Sequence, residues 1–369
     1  MYNIIFLLPL IIIMAFLSFL LADNIRKFMI EFNLFPKVKE RNIHKNIVPS
    51  SLGIGFLVVF TLGTVFYHQY FINFFNYMSL IVTSFIIVAL GFLDDLNVLS
   101  SKKKLLFQVT AIGIFLYFNE HLVVDNLNFF LGISEISIIP AIIFTVFIGI
   151  VMINGFNLID GIDGFAAVLT IICSLLFALI FWGIGSSIPF LMTILLTSIL
   201  LGYLPINISN NKKGFMGDSG SMFIGYMFFI FTLIYLQSDF TFLFNVVKNK
   251  SVLVLGPLSI YIIPILDTLS IYYYRFSIGK KPLTADNFHI HHMMLHFINP
   301  NPLIVSLLSG AFIIIFCGLM SVITFTLSAK VAISVYFILL MFLFIIVLNF
   351  KSKMRTELGK VNGNVQKVE

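Results

Sequence analysis

The amino-acid sequence predicts an all-α polytopic membrane protein, and three observations lead to this prediction. Of the 369 residues, 60% are hydrophobic and only 10% are charged. A soluble protein carries roughly 25% charged residues, so most of this surface must face something other than water. The hydrophobic residues form runs about as long as a bilayer is thick, and the basic residues lie between those runs.

Eleven apolar runs approach the length of about 20 residues that a membrane-spanning helix needs. They lie near residues 3–22, 51–67, 77–93, 105–118, 139–153, 165–182, 188–206, 220–237, 252–271, 302–324 and 331–349. The first run lacks a basic leader and is too long for a signal peptide, so we expect an uncleaved span.

Lysine and arginine residues fall on one side of these eleven predicted spans. The basic segments are 24–50, 94–104, 207–219, 272–297 and the tail from residue 351. The other side carries only Lys248, Lys250 and Lys330. Basic loops mark the cytosol, so the N-terminus is predicted outside and the C-terminus inside. An even number of spans would break this segregation.

The remaining organisation is simple. Residues 119–138, on the outer side, alternate weakly between apolar and polar side chains and predict a small β-hairpin. Residues 1–350 are expected to form a single transmembrane domain, and residues 351–369 a polar cytosolic tail without stable structure.

The net charge of +6 follows the loops, so no nucleic acid is expected as a partner. Cys173 and Cys317 lie inside apolar runs, which excludes a disulfide framework.

Acidic residues on the predicted cytosolic side lie at span ends or in short loops. Carboxylates there are costly unless they are paired, hold a metal or face a water-filled cavity, so function is the first interpretation. Helix capping is the alternative, and it explains a single aspartate more easily than the whole set. The set is Asp94, Asp95, Asp160, Asp163, Asp218, Asp267 and Asp286.

Three segments surround these acids with other polar groups. Asp94 and Asp95 are adjacent, and their repulsion favours a divalent cation or a proton-accepting role. Residues 154–165 read N-G-F-N-L-I-D-G-I-D-G-F, which places two amides and two acids among glycines that let a ligand approach the backbone. Residues 217–221 read G-D-S-G-S before a span, where helix N–H groups and a carboxylate suit a phosphate with its metal.

A histidine cluster completes the pattern. His289, His291 and His292 follow a loop that also contains Arg275. Zinc is conceivable, but no cysteine or ordered carboxylate set accompanies the histidines. Contact with phosphate fits this cluster better.

In this order, the motifs resemble those of the polyprenyl-phosphate N-acetylhexosamine-1-phosphate transferases, of the WecA and MraY type. The matches are D-D at 94–95, L-S at 99–100, K-L-L-F-Q at 104–108, N-x-x-N-x-x-D-G-x-D-G at 154–164, P-I-N at 205–207, G-D-S-G-S at 217–221, P-I-L-D-T at 264–268 and H-x-H-H at 289–292. Three positions depart from the family: Phe165 replaces leucine, Asn287 replaces a frequent arginine, and residues 49–53 lack the usual arginine and paired glycine.

The resemblance implies a multi-pass enzyme of the bacterial inner membrane with a cytosolic active site and Mg²⁺, or Mn²⁺ in its place. It implies transfer of an N-acetylhexosamine-1-phosphate from a UDP-sugar to undecaprenyl phosphate, with release of UMP. The product would initiate a cell-envelope polysaccharide such as O-antigen, common antigen or teichoic acid. The choice of hexosamine, a covalent aspartyl intermediate and a homodimer all stay open.

The resemblance also implies a role for each matching residue. Those implied to be catalytic are Asp94, Asp95, Asp218, His289, His291 and His292. Those implied to bind substrate are Lys104, Asn154, Asn157, Asp160, Asp163, Asn207, Asp267 and Arg275. The implied metal ligands are Asp218 first, with Asp94, Asp95 and Asn157.

Two other functions are compatible with parts of this pattern. The nearer is the same chemistry on UDP-MurNAc-pentapeptide, but MraY-type enzymes typically carry three consecutive histidines, and Ile290 interrupts the run here. The other is an ion-coupled transporter. Transporters place their acids near the bilayer midplane with repeat symmetry, whereas these acids lie at one interface without a repeat.

Overall fold

The computed structural model describes residues 4–34, 48–65, 74–240, 250–279 and 288–365. Several residues named above lie outside these ranges: the basic residues of 35–47, Lys248, Lys280, Lys281, Asp286 and Asn287. Within the described ranges, eight helices are long and apolar enough to cross a membrane, and a bent pair adds a ninth. The prediction of an all-α polytopic membrane protein is therefore confirmed.

The chain forms two compact units, Met1–Asn245 and Val246–Glu369. The elements of the first unit are α1 (Ile4–Glu31), α2 (Ile54–Val65), α3 (Phe74–Leu96), α4 (Ser101–Phe118), β1 (Asn126–Phe130), β2 (Ile133–Glu135), α5 (Ile138–Ile159), α6 (Phe165–Gly183), α7 (Ser187–Asn207) and α8 (Gly217–Gln237). The two strands pair antiparallel, which confirms the predicted hairpin. Leu131 and Gly132, between the strands, both have positive φ, as the tight turn of a two-residue hairpin requires.

The helix α8 is the core of the first unit. Nearly all of its side chains are buried, and it packs against α3 and α5. The Tyr226 hydroxyl shares a hydrogen bond of 2.5 Å with Thr83 on α3. The ring of Phe228 lies 4.6 Å from that of Phe156 on α5. Polar and aromatic contacts together therefore fix α8 against the helices around it.

The beginning of α8 comes into backbone contact with two other segments. The amide of Gly53 donates to the Met216 carbonyl at 3.0 Å, just before α8 begins. A Cβ atom on Gly53 would lie 2.1 Å from Gly220 Cα, and one on Gly91 of α3 would lie 2.4 Å from Ser219 Cα. These distances leave no room for a side chain. The glycines therefore allow Asp218 to lie beside the end of α3.

The elements of the second unit are α9 (Leu255–Ile260), α10 (Ile262–Ser277), α11 (Ile290–Phe297), α12 (Pro302–Thr326) and α13 (Ala329–Val365). The span predicted near residues 252–271 corresponds to α9 and α10, which meet at a bend of 77°. Pro257 and Pro264 are each the third residue of their helix. Proline is tolerated in a first turn and breaks a helix interior, which explains the two short helices.

The expectation of an unstructured tail was wrong for residues 351–365, because α13 continues through Lys351 to Val365, and residues 366–369 lie outside the described ranges. Contacts with α11 accompany this extension. The Lys353 ammonium lies 5.2 Å from the centre of the Phe297 ring, and His296 Nε2 lies 2.9 Å from a Glu357 carboxylate oxygen. Lysine, methionine, arginine and glutamate are also good helix formers. Composition alone had suggested disorder because it ignores these neighbours.

We predict that Gly91→Ala lowers the thermal stability of the protein in detergent. The added methyl group would meet the backbone of Ser219 at 2.4 Å, and overpacking of this kind costs about 1–3 kcal/mol or more. Gly113→Ala is the matched control, since nothing lies within 4 Å of its added Cβ atom. The control should keep or slightly raise the unfolding temperature. Equal unfolding temperatures for the two variants would contradict the close approach of α3 and α8.

Candidate active site

One lysine joins two of the predicted carboxylates. Asp94 lies at the end of α3, Lys104 in the first turn of α4, and Asp218 in the first turn of α8. The Lys104 ammonium forms ion pairs with Oδ2 of both aspartates, at 2.9 Å in the case of Asp218. The second oxygen of Asp94 accepts a hydrogen bond of 2.6 Å from the Leu99 amide. Residues from three separate motifs therefore form one charged cluster.

The neighbouring Asp95 is turned to different partners. Its Oδ1 accepts from the Asp218 amide at 2.9 Å, and its Oδ2 accepts from the Ser51 hydroxyl at 2.6 Å and the Ser219 amide at 3.4 Å. N–H groups in the first turn of a helix have no partner within the helix, so this carboxylate satisfies two of them for α8. Asp95 thereby holds Asp218 in place. Ser51 was not predicted, although its segment had been noted for its departure from the family motif.

The two predicted asparagines of α5 separate. The Asn157 amide donates to Oδ1 of Asp218 and to the Ser221 hydroxyl, both at 2.9 Å. Asn154 instead pairs with Gln108 on α4, where its amide donates to Oε1 at 3.0 Å. Asn157 therefore joins the carboxylate cluster, while Asn154 links α5 to α4.

Two contacts tie the loop after α5 to the loop after α7. The Lys213 ammonium lies 2.5 Å from Oδ2 of Asp163. The buried Asn207 accepts from the Gly164 amide at 2.6 Å and donates to the Gly214 carbonyl at 3.3 Å. Sequence reasoning counted Lys213 only as a charge that sets topology. Its ion pair depends on the approach of two loops, which no local pattern reveals.

Asp160 follows the last residue of α5 and lies near the carboxylate cluster. Burial raises the pKa of Asp160 to about 7, and the negative charges of Asp218 and Asp95 act in the same direction. The protonated form is therefore favoured below neutral pH. A cation beside this group would favour its ionised form instead.

In the second unit, one aspartate contacts the histidine motif. Oδ2 of Asp267, on α10, lies 2.7 Å from His289 Nδ1, and Oδ1 accepts from the Ile290 amide at 2.7 Å. The His291 ring stacks parallel to His289, with centroids 5.5 Å apart, and contacts His292. Burial, helped by the charge of His292, keeps the pKa of His291 well below its usual range. Arg275 is buried near the end of α10.

The residues best placed to hold a hard cation are Asp94 and Asp218. Among the described residues, no three histidine, cysteine, aspartate or glutamate side chains are grouped as a metal site. The two carboxylates already converge on a single positive charge, that of Lys104. Of the four residues implied as ligands, Asn157 lies with this pair and Asp95 is turned to the start of α8. The catalytic, substrate-binding and metal-ligand roles stay predictions.

Known proteins resemble this chain, and a matching family model spans the motifs of the first unit from Asp94 to Ser221. A family model described as glycosyl transferase family 4 matches residues 77–236. An undecaprenyl-phosphate alpha-N-acetylglucosaminyl 1-phosphate transferase of Escherichia coli O157:H7 is 29% identical over 73% of this chain and 71% of its own length. A probable undecaprenyl-phosphate N-acetylglucosaminyl 1-phosphate transferase of Bacillus subtilis is 29% identical over 78% of each chain. A decaprenyl-phosphate N-acetylglucosaminephosphotransferase of Mycolicibacterium smegmatis is 26% identical over 76% of this chain and 73% of its own length.

We predict that Asp160 makes the stability of the protein fall as the pH rises towards neutrality. Because its pKa is raised from 3.8 to about 7 in the folded protein, the folded state holds a proton that the unfolded state has lost between these values. This contribution is complete below pH 3.8 and is lost as the pH rises through about 7. Unfolding temperatures measured between pH 5 and 8 should show the advantage of Asp160→Asn over the wild type growing with pH. A constant difference across this range would contradict the raised pKa.

Proposed function

We propose that this chain, which resembles glycosyl transferase family 4 over residues 77–236, transfers an N-acetylhexosamine-1-phosphate from a UDP-sugar to undecaprenyl phosphate and releases UMP. The first candidate for the hexosamine is N-acetylglucosamine, because the relatives in E. coli and B. subtilis are named for that sugar. The lipid-linked product would initiate a cell-envelope polysaccharide.

The observation that carries this proposal is the Lys104 ammonium between Asp94 and Asp218. Both reactants are anionic phosphates, so their reaction requires positive charge where they meet. A lysine held at the ends of α3, α4 and α8 can provide that charge at a fixed point. The two carboxylates keep the lysine charged and in place when no substrate is bound.

The same carboxylates fit Mg²⁺, which we propose as the cofactor. Mg²⁺ prefers oxygen ligands and is usually bound through one or two protein carboxylates, with waters and substrate phosphates completing its shell. Asp218 and Asp94 would hold the ion. When bound, Mg²⁺ supplies charge neutralisation for the pyrophosphate and for the departing UMP.

The residues of the cluster have separable tasks in the reaction. A bond forms between an acceptor phosphate oxygen and the β-phosphorus of the donor, and the bond from that phosphorus to the bridging oxygen of UMP breaks. Asp94 shares Lys104 with Asp218, whereas both oxygens of Asp95 serve Ser51 and the start of α8. Asp94 is therefore the one of the adjacent pair that we assign to orienting the acceptor phosphate or taking its proton. The sugar–oxygen bond stays intact, so the anomeric configuration is retained.

We further propose eleven membrane crossings, with the N-terminus outside and the active site on the cytosolic side of a bacterial inner membrane. Support comes from the helices, because helical backbone lies within each of the eleven predicted runs over the residues that the structure describes. Two of these helices are less typical of a membrane span. The helix α2 has only 12 described residues, and the first turn of α4 contains three lysines. The segregation of lysine and arginine gives the direction.

We expect the purified protein to turn over a UDP-N-acetylhexosamine at least tenfold better than UDP-MurNAc-pentapeptide, a difference of about 1.4 kcal/mol. The assay measures transfer to undecaprenyl phosphate in detergent from each of four labelled donors: UDP-GlcNAc, UDP-GalNAc, UDP-FucNAc and UDP-MurNAc-pentapeptide. The reason is that Ile290 interrupts the run of three histidines typical of enzymes that take the pentapeptide donor, and a site gains transition-state binding only from the groups that it contacts. A preference for the pentapeptide donor would overturn the donor assignment.

The same assay tests the carboxylate cluster. Asp218→Asn keeps the shape of the side chain and removes its charge, so it should abolish turnover at an unchanged protein yield. Asp125→Asn, an exposed aspartate beside β1, is the matched control and should behave as the wild type. Chelation of divalent cations should stop the wild-type reaction. Turnover near the wild-type rate for Asp218→Asn would rule out the proposed metal ligand.

The proposed topology predicts opposite labelling at the two ends of α4. Cysteine is placed at Lys103 or at Asp125, both exposed, in a protein whose Cys173 and Cys317 are alanine. A membrane-impermeant thiol reagent added to intact cells should label position 125 only, and both positions after permeabilisation. Labelling at position 103 in intact cells would overturn the orientation, and equal labelling of both would show that α4 does not cross.

A further inference from the structure

Asp267 is almost fully buried, with 1% of its surface exposed, and residues 289 and 290 occupy both of its oxygens. Oδ2 lies 2.7 Å from His289 Nδ1, and Oδ1 accepts from the Ile290 amide at 2.7 Å. Ile290 is the first residue of α11. One carboxylate therefore fixes the ring of His289 and the start of the helix that follows it.

We infer that Asp267 is a positioning residue, which keeps the proton of neutral His289 on Nδ1 and leaves the Nε2 lone pair to accept a hydrogen bond from a substrate hydroxyl or a protonated phosphate oxygen. An ionised carboxylate can only accept hydrogen bonds, so the hydrogen between the two side chains belongs to the imidazole. The inference rests on the proposed function and on the prediction that the histidine cluster contacts a substrate phosphate. It replaces the expectation that Asp267 itself binds substrate.

The groups around this pair are basic. His291 stacks on His289 and contacts His292 within α11, and the buried Lys351 of α13 acts electrostatically on both Asp267 and His291. Arg275 is buried farther along α10. Asp267 therefore introduces negative charge into a positive environment, where its ionised form is stabilised. That form is the one the inference requires.

Asp267→Asn separates the two tasks of the carboxylate. The amide oxygen of asparagine can still accept from the Ile290 amide, so the start of α11 is kept. The amide NH₂ then faces His289 Nδ1, and because NH₂ donates, the ring nitrogen must accept. The proton moves to Nε2. Asp267→Glu keeps the carboxylate and serves as the conservative variant.

The first test reads the tautomer directly. Nitrogen NMR of histidine-labelled protein, at alkaline pH where the imidazole is neutral, distinguishes a proton on Nδ1 from one on Nε2, and His289→Gln assigns the signal. We expect Nδ1–H in the wild type and Nε2–H in Asp267→Asn. Glu357→Gln is the matched control, because Glu357 pairs with the exposed His296 of the same helix. Nε2–H in the wild type, or no change in Asp267→Asn, would overturn the inference.

The second test uses turnover of UDP-GlcNAc. Asp267→Asn should lower kcat roughly 10- to 100-fold, the range known for carboxylates that orient metal-binding histidines, with KM for the donor changed less than about twofold. Asp267→Glu should recover part of the rate, and Glu357→Gln should match the wild type.

The outcomes separate this inference from the proposed function. Lowered thermal stability of Asp267→Asn with an unchanged tautomer of His289 would indicate a purely structural role and would overturn the inference. An inverted tautomer with unchanged kcat would do the same. If the wild type fails to turn over any UDP-N-acetylhexosamine, the proposed function falls, and the tautomer measurement still decides whether Asp267 positions His289.

Discussion

The structure depends on one constraint: a carboxylate placed among apolar helices must have its charge compensated. A buried, unpaired carboxylate costs several kcal/mol, far more than one surface interaction returns. Asp94 and Asp218 share one lysine, and Asp95 receives two amides and a hydroxyl. The arrangement of α3, α4 and α8 brings these groups together, so the packing of the first unit and its chemistry are inseparable.

In each unit, a carboxylate at the start of a helix fixes a residue that the proposed chemistry needs. Asp95 binds the first amides of α8, and Asp267 binds the first amide of α11. In each case a carboxylate from an earlier helix meets the positive end of a later helix, where N–H groups lack partners. The residue positioned by this contact, Asp218 or His289, is one that the proposed chemistry needs. The carboxylates that hold the start of a helix and the residues proposed to act on the substrate are therefore different.

The helices and the hairpin were predictable because run length and alternation are local properties of the chain. The polar segments of the first unit were found because carboxylates and amides are rare beside lipid. Partnerships were not predictable: Ser51 and Lys213 meet acids 44 and 50 positions away. The bend between α9 and α10 was missed because a hydropathy window averages across it. Asn154 could not be separated from Asn157 by spacing, since the two differ in which neighbouring helix they face.

The central position of α8 has a consequence for the order in which the molecule is assembled. The helices packed around it, α2, α3, α5 and α6, all precede it in the chain. When α8 leaves the ribosome, its neighbours have already been synthesised. Asp218 then enters a membrane in which Lys104, Asn157 and Asp95 are present to receive it. Asp218 is synthesised after all of these partners. Because the chain is made from its N-terminus, the time for which the Asp218 carboxylate lies in the membrane without a partner is therefore short.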